Sequence, residues 1–233
     1  MDGIQPATAA DDGRYERSAA DRAVPHPSLD DLQRRAAPLR LVGSVLAVAA
    51  PGRERAAAQL TAAGMDVHID VIDASYPLAE GVDPSIISAP GTGTADVHLM
   101  VRDPLVLLPG LLRLHPAQVT VQLEDFGEDL EADLARFSRE CRAAEVSPHL
   151  AIAPATPRAI LPSLVDLVDG VLVMLSPPGA PGGRADLTCL DGVPRGTTTL
   201  TVDGGARPEL FGALRAHGVD RVVMGRALTE ALS

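Results

Sequence analysis

The chain has no lysine and no tryptophan. All of its 20 basic residues are arginine, and aromatic residues make up only 2% of the 233 positions. The missing lysine excludes a Schiff-base lysine, a lysine acid or base, and a phosphate-loop lysine. With so few aromatics, the core must be built from Leu, Val, Ile and Ala. Cysteine is scarce too: Cys141 and Cys189 stand far apart and form no CxxC pair. That usage fits a reduced, cytoplasmic chain better than a disulfide framework. No basic stripe relieves a net charge of −11, which argues against nucleic acid as a partner. No apolar run is long enough for a membrane span. "LRLVGSVLAVAAPG" (Leu39 to Gly52) has the look of a signal peptide but sits behind a long acidic tail, so it reads as the first core strand.

Residues 1–38 carry few large apolar side chains and read as an N-terminal extension, mostly disordered. Within it "SLDDLQRRAA" suits a short helix capped by Ser28. From residue 39 to 233 the chain alternates. Short apolar runs at 41–48, 66–72, 95–101, 117–123, 148–153, 170–175, 197–202 and 219–224 are separated by helix-like segments such as "EDLEADLARFSRECRAAE", "TPRAILPSLVDLV" and "RPELFGALRAHG". Alternation of this kind points to a parallel α/β protein, and eight strands are the number that closes a small (β/α)8 TIM barrel. A doubly wound open sheet is the runner-up, although no GxGxxG follows the first strand. "GGRADLTCLDGVPRG" leaves room for only a stub of a sixth helix.

Strand alternation then separates two faces. In "VHIDVID", Val67, Ile69 and Val71 face one way while His68 and Asp70 face the other; in "ADVHLMV", Val97, Leu99 and Val101 oppose His98 and Met100. In "TLTVDGG", Leu200 and Val202 go outward and Asp203 inward at the strand end. Three strands thus aim His68, Asp70, His98 and Asp203 at the end of a barrel where active sites sit. Two histidines and two carboxylates suit one divalent transition cation such as Zn, Mn, Fe or Co. Each of these residues alone could instead be a packed or surface group, as His115, His149 and His217 are read here. Asp73 and Asp96 read as turn-closing acids.

"GSVLA", "HIDVID", "DVHLMV", "APATP", "VLVMLSPPGAPGG", "TVDGG" and "VVMGRAL" occur in the order and approximate spacing of the ribulose-phosphate 3-epimerase family, which the chain resembles from about Leu41 to its end. The resemblance implies a (β/α)8 barrel that holds one divalent metal through His68, Asp70, His98 and Asp203. It implies that Asp70 and Asp203 serve as acid and base on opposite faces of a small phosphorylated sugar. Ser44, His98, Met100 and Met174 then match substrate-lining positions. Gly179, Gly182 and Gly183, with Gly204, Gly205 and Gly225, match the loops that hold the phosphate, and Arg226 stands beside them. Such an enzyme belongs to carbohydrate metabolism of the pentose phosphate type, in the cytoplasm, with a homo-oligomer allowed.

The match departs in the loops. Ile72 and Ala74 replace a methionine and a glycine of the family, and "SYPLAEG" replaces "HFVPN". "PPGAPGG" stands for "NPGFGG", Ala153 for an asparagine, and Gly225-Arg226 for Gly-Ser. A divergent enzyme acting on ribulose 5-phosphate or a related sugar phosphate is the leading expectation. A non-catalytic metal- or ligand-binding paralogue with a regulatory role is the alternative. Barrel decarboxylases that need a lysine between aspartates are excluded by composition.

Overall fold

A computed structural model describes residues 27–77, 80–179, 183–194 and 198–232. Eight parallel strands close a barrel in chain order: β1 (Arg40–Ser44), β2 (Asp66–Ile72), β3 (Ala95–Met100), β4 (Gln118–Gln122), β5 (Ser147–Ile152), β6 (Gly170–Met174), β7 (Thr199–Asp203) and β8 (Arg221–Met224). β8 pairs back onto β1, so no strand edge is left open. The barrel, not the open sheet, is therefore the fold. The expected disorder of the tail falls on residues outside those described. What is described of the extension is α1 (Leu29–Ala36), capped by the Ser28 side chain on the Asp31 N–H; its Leu32 and Ala36 are fully buried. The packed unit therefore includes α1, held also by the Arg215 guanidinium donating to the Ala36 carbonyl at 3.0 Å.

Four further helices of ordinary type lie outside the sheet: α2 (Arg53–Ala62), α3 (Pro104–Leu112), α4 (Leu130–Ala143) and α5 (Phe211–Ala216), followed by the short α6 (Arg226–Ala231). α4 buries Leu134, Phe137 and Cys141, spaced three and four residues apart on one stripe. The outward residues of the strands, among them Val67, Ile69, Val97, Leu99 and Val202, join these helices in the main apolar core. "TPRAILPSLVDLV" is not the helix its apolar spacing suggests. It forms two 3-10 turns, 158–163 and 165–167, because Pro162 lies inside it without an N–H to donate. The sixth helix is the expected stub, a 3-10 turn at Leu187–Leu190. "LRLVGSVLAVAAPG" does hold the first strand, but the strand stops at Ser44, whose hydroxyl accepts the Leu46 N–H and turns the chain. Among the described residues no helix is long and apolar enough to cross a membrane.

Candidate metal centre

The inner face of the barrel carries a group of polar side chains. His68 and His98 are fully buried, Asp70 is 3% exposed, and the Asp203 side chain is 19% exposed at the end of β7. Strand register brings them together: Asp70 pairs directly with His98 across β2 and β3, and Ser44 pairs with His68 across β1 and β2. One ligand atom from each of His68, Asp70, His98 and Asp203 lies within 4.8 Å of all the others. His68 Nε2 is 3.2 Å from Asp70 Oδ1 and 3.8 Å from Asp203 Oδ2, and His98 Nδ1 is 3.8 Å from Asp70 Oδ1. This His/Asp cluster could hold a divalent metal ion.

The outer partners of the two rings fit that role. His98 Nε2 is 3.0 Å from Gln122 Oε1. An amide oxygen only accepts, so it selects the Nε2–H tautomer and leaves the lone pair of Nδ1 aimed into the cluster. His98 Nδ1 is buried and has no hydrogen-bond partner, as expected of an atom that waits for a cation. Gln122 is fixed in turn by donating to Glu124 Oε2 at 2.8 Å, and Glu124 also takes the Thr156 hydroxyl and the Ala153 N–H. His68 presents Nε2 to the cluster, and its Nδ1 faces Asp96 Oδ2 at 3.4 Å. Ser44 Oγ donates to Asp70 Oδ2 at 2.8 Å, so this hydroxyl holds one carboxylate in place.

The electrostatics divide the two acids. Burial opposes ionisation of Asp70, but His68, His98 and the Ser44 hydrogen bond outweigh it and hold Asp70 below the usual carboxylate range. Burial pushes Asp203 up to about 7, with Asp70 adding to the rise against the opposing pull of His68. Burial lowers His98 to about 4. For His68 burial works against the charge, yet Asp70 and Asp96 together raise it well above the ordinary value. Two carboxylates with opposite protonation preferences flank one small volume, an arrangement suited to an acid and a base.

The lining groups expected from the sequence are distributed as follows. Met100 and Met174 are buried, and Met174 packs with Ala151 and Leu172 in a small apolar cluster separate from the main core. Gly204 and Gly205 both adopt positive φ; a Cβ on Gly204 would lie 2.5 Å from Ser176 Oγ, and one on Gly205 would lie 2.3 Å from the Gly183 carbonyl oxygen. The "DGG" turn and the loop after β6 thus interlock at backbone distance, which only glycine allows. Gly179, also at positive φ, packs against Tyr76. Gly182 lies outside the described residues. Gly225 precedes α6, and Arg226 opens that helix with an exposed side chain. His115 is exposed, His217 is half-buried with its Nδ1 on the Ala213 carbonyl, and His149 is packed in the barrel. Asp73 closes a turn, accepting the Ser75 and Arg102 N–H groups.

Asp96 is not a turn-closing acid, as the sequence suggested. It is 1% exposed inside the barrel, accepts from Gln118 Nε2 at 2.8 Å and faces His68. Period-two alternation from His98 places it on the same inner face, the signal that identifies it. The same period through "QVTVQ" finds Gln118, Thr120 and Gln122. Above the strands a cavity of about 590 Å³ opens among the loops after β2, β3 and β4, lined by Tyr76, Arg102, Glu124 and Asp125. There the Tyr76 hydroxyl lies 2.9 and 2.8 Å from the two oxygens of Asp125.

The profile of the ribulose-phosphate 3 epimerase family matches residues 40–229. The chain belongs to the ribulose-phosphate 3-epimerase family. It is 30% identical to the ribulose-phosphate 3-epimerase of Escherichia coli K12 over 189 residues, covering 74% of this chain and 81% of that enzyme. It is 28% identical to the ribulose-phosphate 3-epimerase of Treponema pallidum over 200 residues, covering 80% and 89%. These relatives are carbohydrate epimerases, a class of isomerase. Among solved structures, Mycobacterium tuberculosis tryptophan synthase matches with a TM-score of 0.60 at 17% identity over 87% of each chain. That likeness speaks for the barrel fold alone.

Proposed function

We propose that this family member is a metal-dependent sugar-phosphate 3-epimerase. It would invert C3 of a ketose phosphate, D-ribulose 5-phosphate and D-xylulose 5-phosphate or a related sugar phosphate, by two-aspartate proton transfer. The observation that carries the reading is the pair Asp70 and Asp203, gathered around the same His68 nitrogen and displaced in opposite directions from the ordinary carboxylate range. Inversion next to a ketone requires a base on one face of the carbon and an acid on the other. Asp70, ionised and steadied by Ser44, takes the C3 proton. Asp203, whose ionisation burial disfavours, gives a proton to the opposite face, and the two exchange roles in the reverse direction.

His68, Asp70, His98 and Asp203 would hold one divalent cation, Zn, Mn, Fe or Co, a hard-to-borderline donor set of two imidazoles and two carboxylates. When bound, such a cation supplies Lewis-acid stabilisation of the negative charge that develops on the substrate oxygens. Met100 and Met174 line the site without offering a competing strong hydrogen bond. Gly179, Gly183, Gly204, Gly205 and Gly225 bring backbone close to the mouth, where N–H groups can meet a phosphate, and Gly182 and Arg226 belong to the same proposed grip. The experiment is an activity screen across ketopentose and ketohexose phosphates, with metal content measured on the same sample. Epimerisation of at least one of them by metal-loaded protein is expected. A metal-loaded protein that turns over none of them would refute the reading and favour a binding role.

A further inference from the structure

The floor of the barrel, beneath the cluster, holds a second polar group of residues: Asp66, Asp96, Gln118 and Arg221. Asp96 accepts from Gln118 Nε2 at 2.8 Å through Oδ1. Its other oxygen, Oδ2, faces His68 Nδ1 at 3.4 Å and Arg221 Nη2 at 3.6 Å. Arg221 donates to Gln118 Oε1 and to Asp66 Oδ2, the latter at 3.0 Å. Among the described residues neither His68 Nδ1 nor Asp96 Oδ2 has another partner at hydrogen-bond distance, and Asp96 Oδ2 is the acceptor that His68 Nδ1 faces.

We propose that Asp96 is a positioning residue for the cation site: its carboxylate accepts the Nδ1–H of His68, and so keeps the Nε2 lone pair turned toward Asp70 and Asp203. This rests on reading the four-residue cluster as a cation site. Arg221 and Gln118 make the arrangement one-way. The Gln118 carbonyl oxygen is occupied by Arg221, so its amide nitrogen must point at Asp96 Oδ1. An asparagine at position 96 would have to keep its carbonyl toward that nitrogen. Its own amide nitrogen would then meet His68 Nδ1 as a donor. Nδ1 would become the acceptor, the ring proton would move to Nε2, and the ligand atom would be blocked. The reversed asparagine sets two N–H donors against each other at Gln118 instead. A change of one oxygen to nitrogen, with no change in volume, therefore acts on the metal through the tautomer of a ring that it does not share.

The test is Zn²⁺ titrated, against a competing indicator dye, into the full-length chain stripped by chelation. Asp96→Asn is expected to weaken Zn²⁺ binding roughly tenfold to hundredfold, the range for outer partners of metal-binding histidines. Asp66→Asn is the control, since Asp66 contacts Arg221 and Arg40 but neither histidine. It is expected to lower thermal stability and leave Zn²⁺ affinity as in wild type. Asp96→Ser, which lacks the carboxylate, carries the same expectation as Asp96→Asn should the latter not fold. Wild-type affinity in a folded Asp96 variant would overturn the inference, as would equal weakening by Asp66→Asn. A wild type that takes up no cation would overturn the reading of the site itself.

Discussion

Asp203→Asn separates the two halves of an inversion. Among the described residues the side chain makes one hydrogen bond, accepting the Gly204 N–H at 2.6 Å, and lies 3.8 Å from His68 Nε2. Asparagine has the same shape and its carbonyl oxygen can keep the Gly204 bond, so the fold should persist. What disappears is the exchangeable proton that, on the proposed mechanism, Asp203 offers to the face opposite Asp70. A positioned acid or base contributes about 10²- to 10⁴-fold, or about 3–5 kcal/mol of barrier. Epimerisation should fall by that factor in both directions, provided that metal content, measured first, is retained.

The two epimers should nevertheless behave differently in deuterated water. Asp70 can still remove the C3 proton from the epimer that presents it to that face, then return deuterium from the same side. One epimer should therefore exchange its C3 hydrogen without inverting, and the other should do neither. Proton NMR of the C3 signal follows exchange, and a coupled assay follows inversion. Retention of most of the wild-type rate of inversion, with metal bound, would refute the two-acid mechanism. So would loss of exchange from both epimers alike.

Three further expectations address the metal, the phosphate and pH. Addition of a divalent cation at about 100 times its dissociation constant should stabilise the wild type by about 2.7 kcal/mol, or about 5–10 °C in melting temperature for a chain of this size. His68→Ala or His98→Ala should abolish that shift and the bound metal, and elemental analysis that finds no metal in loaded wild type would dismiss the site. Arg226→Ala should raise KM for a phosphorylated sugar tenfold or more, about 1.4 kcal/mol. Wild type should turn over free ketose poorly, and an enzyme indifferent both to the phosphate and to the variant would reopen the substrate class. Burial lowers His149 to about 4, well below the value near 6.5 of an unfolded histidine, so its contribution to stability is full above about 6.5 and is lost as pH falls toward 4. Urea unfolding at about pH 5 should show wild type losing about 2 kcal/mol that His149→Gln does not lose; parallel loss in both proteins would dismiss the assignment.

The strands that carry chemistry are legible because alternation within one strand is a local property. His68 with Asp70, and His98 with Met100, could be assigned to one face without knowing any neighbour. Asp96 was legible by the same rule but reads as a turn acid at the entry to its strand. Arg221 is different in kind. It meets Asp66 and Asp96 across the barrel interior, and β1 stands between β2 and β8, so no local pattern pairs them. Closure of the barrel creates that contact. The misread helix at 156–168 shows the reverse case, where an apolar spacing of helical type is overruled by the missing N–H of Pro162.

The division between the two faces of the sheet separates the packing of this barrel from its candidate chemistry. The apolar core lies outside the strands, under the helices, and is built of Leu, Val and Ile with Phe137 and Phe211 as its largest members. The interior is the costly part. Buried atoms without a hydrogen-bond partner include His68 Nδ1, Asp96 Oδ2, His98 Nδ1, His149 Nδ1, Thr201 Oγ1 and Arg221 Nε, all on inward-facing residues of the strands. Each such atom costs about 1–3 kcal/mol. Those at the His68–Asp96 contact and at His98 are the ones a bound cation and its tightened outer partners would satisfy, so the expense is concentrated where binding returns it. Tyr76, Gly179 and Asp125 stand at or beside positions where the chain leaves its family's pattern; the Tyr76 hydroxyl meets Asp125, and Gly179 lies against Tyr76. On the proposed reading, substitution there should change which sugar phosphate fits and leave Asp70 and Asp203 in place. The variety of sugars in the activity screen should therefore be decided at Tyr76 and its neighbours, and the existence of any activity at Asp70 and Asp203.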